Sequence, residues 1–329
     1  VVNSKRRRRP QTPQALRASL NQKLKNAVNV KGASIEEVRK QFAFQLLFRR
    51  MFSEDNGRWI VLGGNALLLR TGGGRFTQDV DLARAEGWES DDELRAEFQE
   101  ILTRDVGDPF SFVIDRFTSH DRSDPYGYGS KTATAHLTVF LGPKVFEWFT
   151  IDFTVRRHVT GPVDYLALNP VIDHEVLGDL PKVPVVPIEN QIADKVCALY
   201  EKHNGPTAWS TRYRDLADIV RIVLDLEIDG ARLKTMLRYE CSRRRIHELP
   251  RALCAPHESW ISEYPAAARR FTGFPAAFHD LDQSLSCAGR CLNTVLDGTL
   301  AEGVWDPSAQ RWRENPRTRV QALGRSLFR

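Results

Sequence analysis

No stretch of the 329 residues approaches the roughly 20 consecutive apolar residues of a membrane span; the longest apolar run, over 42–48, is interrupted by Gln45. The basic N-terminus runs into polar sequence with no hydrophobic signal segment behind it. Cysteine is scarce, odd in number at five, and scattered. Without an export signal these read as reduced thiols, and the expected location is the cytoplasm. Cys287 and Cys291 stand one helical turn apart with no further Cys or His pair near them, which argues against a zinc site. Neither HExxH nor GxSxG occurs, so the commonest zinc-protease and serine-hydrolase patterns drop out. The eight histidines form no cluster that marks a general base, and there is no internal repeat.

What is present is a globular composition, 42% hydrophobic and 27% charged, with ample length to bury a core. The net charge of +5 has a local origin. VVNSKRRRR at the start carries five basic and no acidic residues, leaving 42 basic against 42 acidic in the rest. Such an arm suits phosphate contacts, and equally a solvated terminus. Two more basic clusters lie at Arg243, Arg244 and Arg245, and at Arg311, Arg313, Arg317, Arg319 and Arg325; in a body that is neutral overall they imply a segregated surface, with acidic patches elsewhere, that suits a polyanionic substrate.

The patterns predict helices over 12–29 and 34–53, the second opened by Ser34 with Glu37 three residues on, a capping box. A buried strand follows at 59–62, a short helix at 65–70, a TGGG turn, a strand at 77–83 and an amphipathic helix at 91–102. Further strands are expected at 110–116, 133–141 and 145–155, then Pro- and Gly-rich connecting structure with short strands over 156–189. Helices at 189–202, 213–225, 231–240 and 276–296 complete the reading. The expected class is α+β, a mixed sheet with flanking helices followed by a helical body. The expected organisation is an arm and helix over 1–30, a catalytic domain over 31–185 and a helical domain over 186–329.

The chemistry concentrates in GGNALLLRTGGGRFTQDVDLA, residues 63–83. On a strand, Asp79 and Asp81 share one face. Two carboxylates so close repel each other unless a cation sits between them, and a hard ion such as Mg²⁺ prefers oxygen ligands. The same pair equally describes two residues facing water. Gly63 and Gly64 lie where a strand gives way to a helix, a place where free N–H groups can receive phosphate. In FTIDFTV, Asp152 points away from the apolar Phe149, Ile151 and Phe153, and completes a triad if its strand lies near the first. Lys195 in IADKVCAL can neutralise a triphosphate or form an interhelical bridge; Asp215 can hold it, and Arg214 lies four residues before Asp218, in reach of a pair.

Taken in order, Gly63-Gly64, RFTQDVDL (75–82), IDF (151–153), ADK (193–195) and YRDLADI (213–219) resemble the AbiEii/AbiGii-type nucleotidyltransferase toxins of bacterial type IV toxin-antitoxin systems, within the DNA polymerase β-like nucleotidyltransferase superfamily. The likeness runs from the helix near 34 to WDPSAQRW (305–312). It implies an enzyme that moves a nucleoside monophosphate from an NTP, with Mg²⁺ or Mn²⁺, onto an acceptor that in some members is the 3′ end of tRNA. It implies metal ligation by Asp79 and Asp81 with Asp152, catalytic roles for Asp79, Asp81, Lys195 and Asp215, and nucleotide contacts at Gly63, Gly64, Arg75, Thr77 and Lys195, with Asp218 and Arg214 secondary. A cognate antitoxin is the implied partner and no membrane is involved. TGGG departs from the family's usual loop. Other expectations on the same residues are transfer to a small molecule or a protein hydroxyl, and an idle RNA- or protein-binding module. Thr77, read as sharing a strand face with Asp79, is a candidate phosphorylation switch.

Overall fold

Ser34 opens the second helix as its capping box requires: its hydroxyl accepts from Glu37 N at 3.1 Å while the Glu37 carboxylate accepts from Ser34 N at 2.8 Å. The computed structural model describes residues 12–31, 33–54, 57–72, 76–121, 131–155, 159, 161–202, 209–300 and 302–314. The basic arm, Arg75, Arg317, Arg319 and Arg325 lie outside them. The first half holds helices α1 (Pro13–Lys31), α2 (Ile35–Met51), α3 (Gly63–Thr71) and α4 (Asp91–Leu102). They flank a seven-stranded sheet of β1 (Trp59–Val61), β2 (Asp79–Arg84), β3 (Phe110–Asp121), β4 (Lys131–Leu141), β5 (Lys144–Val155), β6 (Asp164–Ala167) and β7 (Lys182–Val185).

The strand order is β3-β4-β5-β2-β1-β7-β6. The sheet is mixed: β2 with β5 and β1 with β7 are parallel, the other pairs antiparallel. Alternation decides its faces. On β4 the buried residues are Ala133, Ala135, Leu137, Val139 and Leu141, and on β5 Phe149, Ile151 and Phe153, so every second side chain enters the core and the rest face the other way. The Phe153 ring meets Trp59, Phe98 and Phe117; emptying such a site costs about 3–5 kcal/mol. That packing anchors β5 beneath its outward neighbour Asp152.

After β7 come α5 (Ile188–Tyr200), α6 (Tyr213–Asp225), β8 (Ile228–Asp229), α7 (Gly230–Arg244), α8 (Trp260–Ala268), α9 (Leu281–Leu296), β9 (Val304–Asp306) and β10 (Arg311–Arg313). The buried residues fall into two clusters. One spans Leu16 to Val186; the other runs from Ile188 to Trp305 and takes in Leu67 of α3.

Several elements differ from the sequence expectation. The predicted helix over 276–296 is a 3-10 turn, Ala276–His279, followed by α9, because Asp280 caps α9 by accepting from Gln283 N at 2.9 Å. Helix α8 carries Pro265, a residue that hides a helix from periodicity. The helical half also contains a three-stranded sheet, β10-β9-β8. It is held by two tryptophans whose indole N–H groups donate inward, Trp305 to Val223 O at 2.8 Å and Trp312 to Cys291 O at 2.9 Å.

Candidate active site

A cleft of about 950 Å³ opens between the sheet and the helical half. The carboxylates line its sheet side. Strands β2 and β5 run parallel in a register that sets Asp79 opposite Thr150 and Asp81 opposite Asp152. Neighbouring strands lie about 4.8 Å apart, so Asp81 and Asp152 present their side chains side by side on one face. Thr134 on β4 donates to Asp152 Oδ1 at 2.7 Å and fixes that carboxylate. Among the described residues Asp79, Asp81 and Asp152 form no ion pair with a basic side chain.

The electrostatic result is concentrated on Asp81. Burial, then the charges of Asp79 and Asp152, push its carboxyl up to about 7 against an opposing pull from Lys195. A carboxyl in that state is short of positive charge. Among the described residues no group of three His, Cys, Asp or Glu side chains encloses a metal position as it stands. The three carboxylates are instead an open, all-oxygen donor set, the kind a hard divalent cation shares with phosphate.

Beside them lies the glycine turn. Leu62 N donates to Asp81 O at 2.9 Å, drawing the end of β1 onto β2. Helix α3 then starts at Gly63, two residues earlier than the sequence suggests, with no side chain capping its first N–H groups. Gly63 has φ +58°, and a Cβ there would fall 1.8 Å from Asp81 Oδ2. Only glycine fits, on backbone and contact grounds together. Gly64 lines the cleft next to it.

The opposite wall comes from α5 and α6. Lys195 is buried and its Nζ donates to Asp215 at 2.9 Å and Asp218 at 2.7 Å. Burial opposes its charge, but the two carboxylates outweigh it and hold the ammonium well above the usual lysine range. Asp218 thus serves Lys195, while Arg214 stands exposed on the cleft wall. Arg212 approaches Asp215 at 3.8 Å instead. Arg212, Arg214 and Arg270 are exposed residues of this wall.

Two expectations change. Thr77 is not on the strand, which begins at Asp79; the buried Phe76 draws this segment under α2, and Thr77 is 2% exposed with its Oγ1 accepting from Gln41 Nε2 at 3.5 Å. It touches the cleft, but is no exposed phosphate acceptor. The cluster at Arg243 and Arg244 is neutralised rather than free: Arg244 binds Asp194, Glu201 and Glu240, and Arg243 binds Glu240. Burial opposes the Arg244 charge, and those acids still carry it above the usual arginine range. Sequence reasoning missed Asn65, Gln191 and Arg270, all close to or lining the cleft; isolated amides and arginines carry no pattern that would single them out.

The comparisons with known proteins fit this geometry. In solved structures, MenT4, a nucleotidyltransferase toxin from Mycobacterium tuberculosis, shares the fold at TM-score 0.52 and 18% identity, over 87% of this chain and 90% of its own. JHP933 from Helicobacter pylori aligns at TM-score 0.42 and 14% identity, over 81% of this chain and 94% of its own, too distant to bear on the fold. Among curated protein sequences none matches this chain. The family profile described as "Nucleotidyl transferase AbiEii toxin, Type IV TA system" matches residues 45–286. That span stops short of WDPSAQRW but holds every carboxylate, the lysine and the glycine turn described above. The chain belongs to the AbiEii family of type IV toxin-antitoxin nucleotidyltransferase toxins and is a nucleotidyltransferase.

Proposed function

We propose that the protein transfers a nucleoside monophosphate from an NTP to the 3′ end of tRNA, and so blocks translation and growth until a cognate antitoxin restrains it. The observation that carries this reading is the alignment of Asp81 with Asp152 across β2 and β5, with Asp79 two residues along and the Asp81 carboxyl pushed up to about 7. That donor set fits Mg²⁺ or Mn²⁺. Asp79 and Asp81 would hold the cation, with Asp152 as third ligand. When bound, it supplies neutralisation of the triphosphate and of the charge that builds up in transfer. The acceptor hydroxyl bonds to the α-phosphorus as the α–β anhydride breaks, and pyrophosphate leaves.

The chain's own groups divide the remaining work. Gly63 and Gly64 present uncapped N–H groups to phosphate oxygens, with Thr77 lining the same cleft; Arg75, which the resemblance also assigns to the nucleotide, lies outside the described residues. Lys195 has three N–H donors, two of them taken by Asp215 and Asp218; the third is available to a phosphate oxygen. Asp215 and Asp218 keep that ammonium charged and aimed. The exposed Arg212, Arg214 and Arg270 on the far wall support a polyanionic acceptor over a small molecule or a protein hydroxyl. NTP and tRNA meet in the cytoplasm, where this reading puts the protein; among the described residues no helix is long and apolar enough to cross a membrane.

Purified protein incubated with each α-labelled NTP, Mg²⁺ and total RNA tests the reading. Label is expected on tRNA with wild type and not with Asp79→Asn or Asp81→Asn. Label on protein or a small molecule alone overturns the tRNA assignment, and no transfer with any NTP or acceptor overturns the catalytic one. An idle module would show growth inhibition unchanged by either substitution.

A further inference from the structure

Two buried amides brace the corner where the glycine turn meets the aspartate strand. Asn65, in the first turn of α3 and 2% exposed, donates through Nδ2 to the main-chain O of Asp79 at 2.7 Å. Gln191, on α5 and 5% exposed, donates through Nε2 to Gly63 O at 2.5 Å. The Gln191 Oε1 is enclosed and has no hydrogen-bond partner among the described residues. An unmet buried acceptor is a cost to folding, so filling space alone does not explain a glutamine where leucine or methionine would serve. What the glutamine does supply is the bond to Gly63.

That bond acts on the site's geometry. Gly63 is the wall against which the Asp81 carboxylate rests, since even a Cβ there would intrude on Oδ2. The C=O and N–H of a trans peptide point opposite ways. Holding the Gly63 carbonyl at α5 therefore also fixes the direction of the Gly64 N–H. Gln191 and Lys195 are four residues apart, on one face of α5. One helix thus sets the position of the ammonium and of the glycine turn together, while Asn65 ties the start of β2 to α3.

We propose that Asn65 and Gln191 are positioning residues for nucleotidyl transfer: they touch no reacting atom, and from α3 and α5 they hold Asp79, Asp81 and the Gly63-Gly64 peptide in mutual register. The inference rests on the assignment of Asp79 and Asp81 to the cation. Outer groups that orient metal ligands are worth roughly 10–100-fold in metal affinity or activity when removed.

The test uses full-length Asn65→Leu and Gln191→Met, which keep bulk and lose the donor. Circular dichroism and thermal melts report the fold; electron paramagnetic resonance reports Mn²⁺ binding with a non-hydrolysable NTP analogue; steady-state assays separate NTP from acceptor. Both variants are expected to fold, to bind Mn²⁺ about tenfold or more weakly, and to lose about 10–100-fold in kcat/KM for NTP with an unchanged KM for acceptor. Raised Mn²⁺ restores part of the rate. A folded variant with wild-type Mn²⁺ affinity and rate overturns the proposal for that residue, and so does a rise in the KM for acceptor as large as that for NTP. Should either variant misfold, Asn65→Ser and Gln191→Asn, which shorten the reach and keep a polar group, are read by the same criteria. A wild-type protein that transfers nothing defeats the catalytic reading itself; an active wild type with unaffected variants defeats only this inference.

Discussion

Gly63→Ala and Gly72→Ala make a matched pair. Both glycines are left-handed, Gly63 at φ +58° and Gly72 at φ +66°, and they sit at opposite ends of α3. A Cβ in that region costs about 1–2 kcal/mol at either position, which lowers the melting temperature by roughly 3 °C in a chain of this size. Space separates them. At Gly72 nothing among the described residues lies within 4 Å of the added carbon, whereas at Gly63 it would lie 1.8 Å from Asp81 Oδ2 and 2.8 Å from its Cγ. Ordinary contact begins near 3.4 Å, so the carboxylate must retreat by roughly 1.5 Å. A displacement of about 1 Å at a reacting centre costs on the order of 100-fold. Gly63→Ala is expected to keep most of its stability and lose about 100-fold in kcat/KM for nucleotidyl transfer, while Gly72→Ala loses similar stability and stays within threefold of wild-type activity. Thermal melts beside steady-state transfer assays decide it. Equal activity losses, or a Gly63→Ala rate within about threefold of wild type, would refute the claim that this glycine exists to admit Asp81.

Metal-free protein should weaken as pH rises through the range of Asp81. The folded value of about 7 lies above the ordinary 3.8, so the group's contribution is complete below pH 3.8 and lost above 7. Linkage bounds the change at about 4 kcal/mol, and relaxation and partial solvation reduce it to about 1–2 kcal/mol. Urea unfolding in EDTA at pH 4.5 and 7.5 should show that loss in wild type and not in Asp81→Asn; parallel curves would contradict it. Lys195→Met leaves Asp215 and Asp218 facing each other without their cation and should cost about 3–5 kcal/mol as well as activity, whereas Asp215→Asn, with the Asp218 bond intact, should lose activity and stay folded in the same melts. Arg244→Ala removes the guanidinium shared by Asp194, Glu201 and Glu240 and leaves Arg243 on Glu240 and Asp194, so it should lower stability by about 1–3 kcal/mol, while Arg214→Ala and Arg270→Ala should raise the KM for RNA acceptor and flatten its salt dependence by about one counterion each. The reverse assignment of effects would place the acceptor wall elsewhere.

Local pattern made much of this chain legible. The capping box of α2, the alternation of β4 and β5 and the amphipathic α4 are local facts, and the elements they predict are present. What lay beyond reach was pairing. Asp152 comes to lie beside Asp81 because β5 runs parallel to β2 in a register that sets the two opposite, and nothing in the intervening 70 or so residues encodes that neighbour relation at short range. The Thr77 error has the same root. Alternation is strict only from Asp79 to Leu82, since Thr77, Gln78 and Asp79 are three polar residues in a row, and the burial of Phe76 with the Gln41 contact to Thr77 holds the preceding stretch against α2 instead of in the sheet. The strands of the small sheet, at two or three residues each, are too short to carry a period at all.

The arginines show why charge counts in sequence need a fold before they mean anything. Arg243 and Arg244 look like a basic patch in the chain, and acids from α5 and α7 consume them. Arg212 and Arg270 are unremarkable in the chain and Arg214 stands out there only as a neighbour of Asp218, yet the three share one wall of the cleft. Lys195 is already bound by Asp215 and Asp218. Once these internal pairs are subtracted, the cleft keeps three carboxylates on the sheet side and exposed guanidinium groups on the helical side. A single anion would satisfy only the second, and a single cation only the first. On the function proposed above, an electrically complete cleft would hold a cation on the strands and a phosphate-bearing acceptor along the helices, with a triphosphate between them. That separation of charge within one cleft sits in a body that balances at 42 basic against 42 acidic residues once the basic arm is set apart.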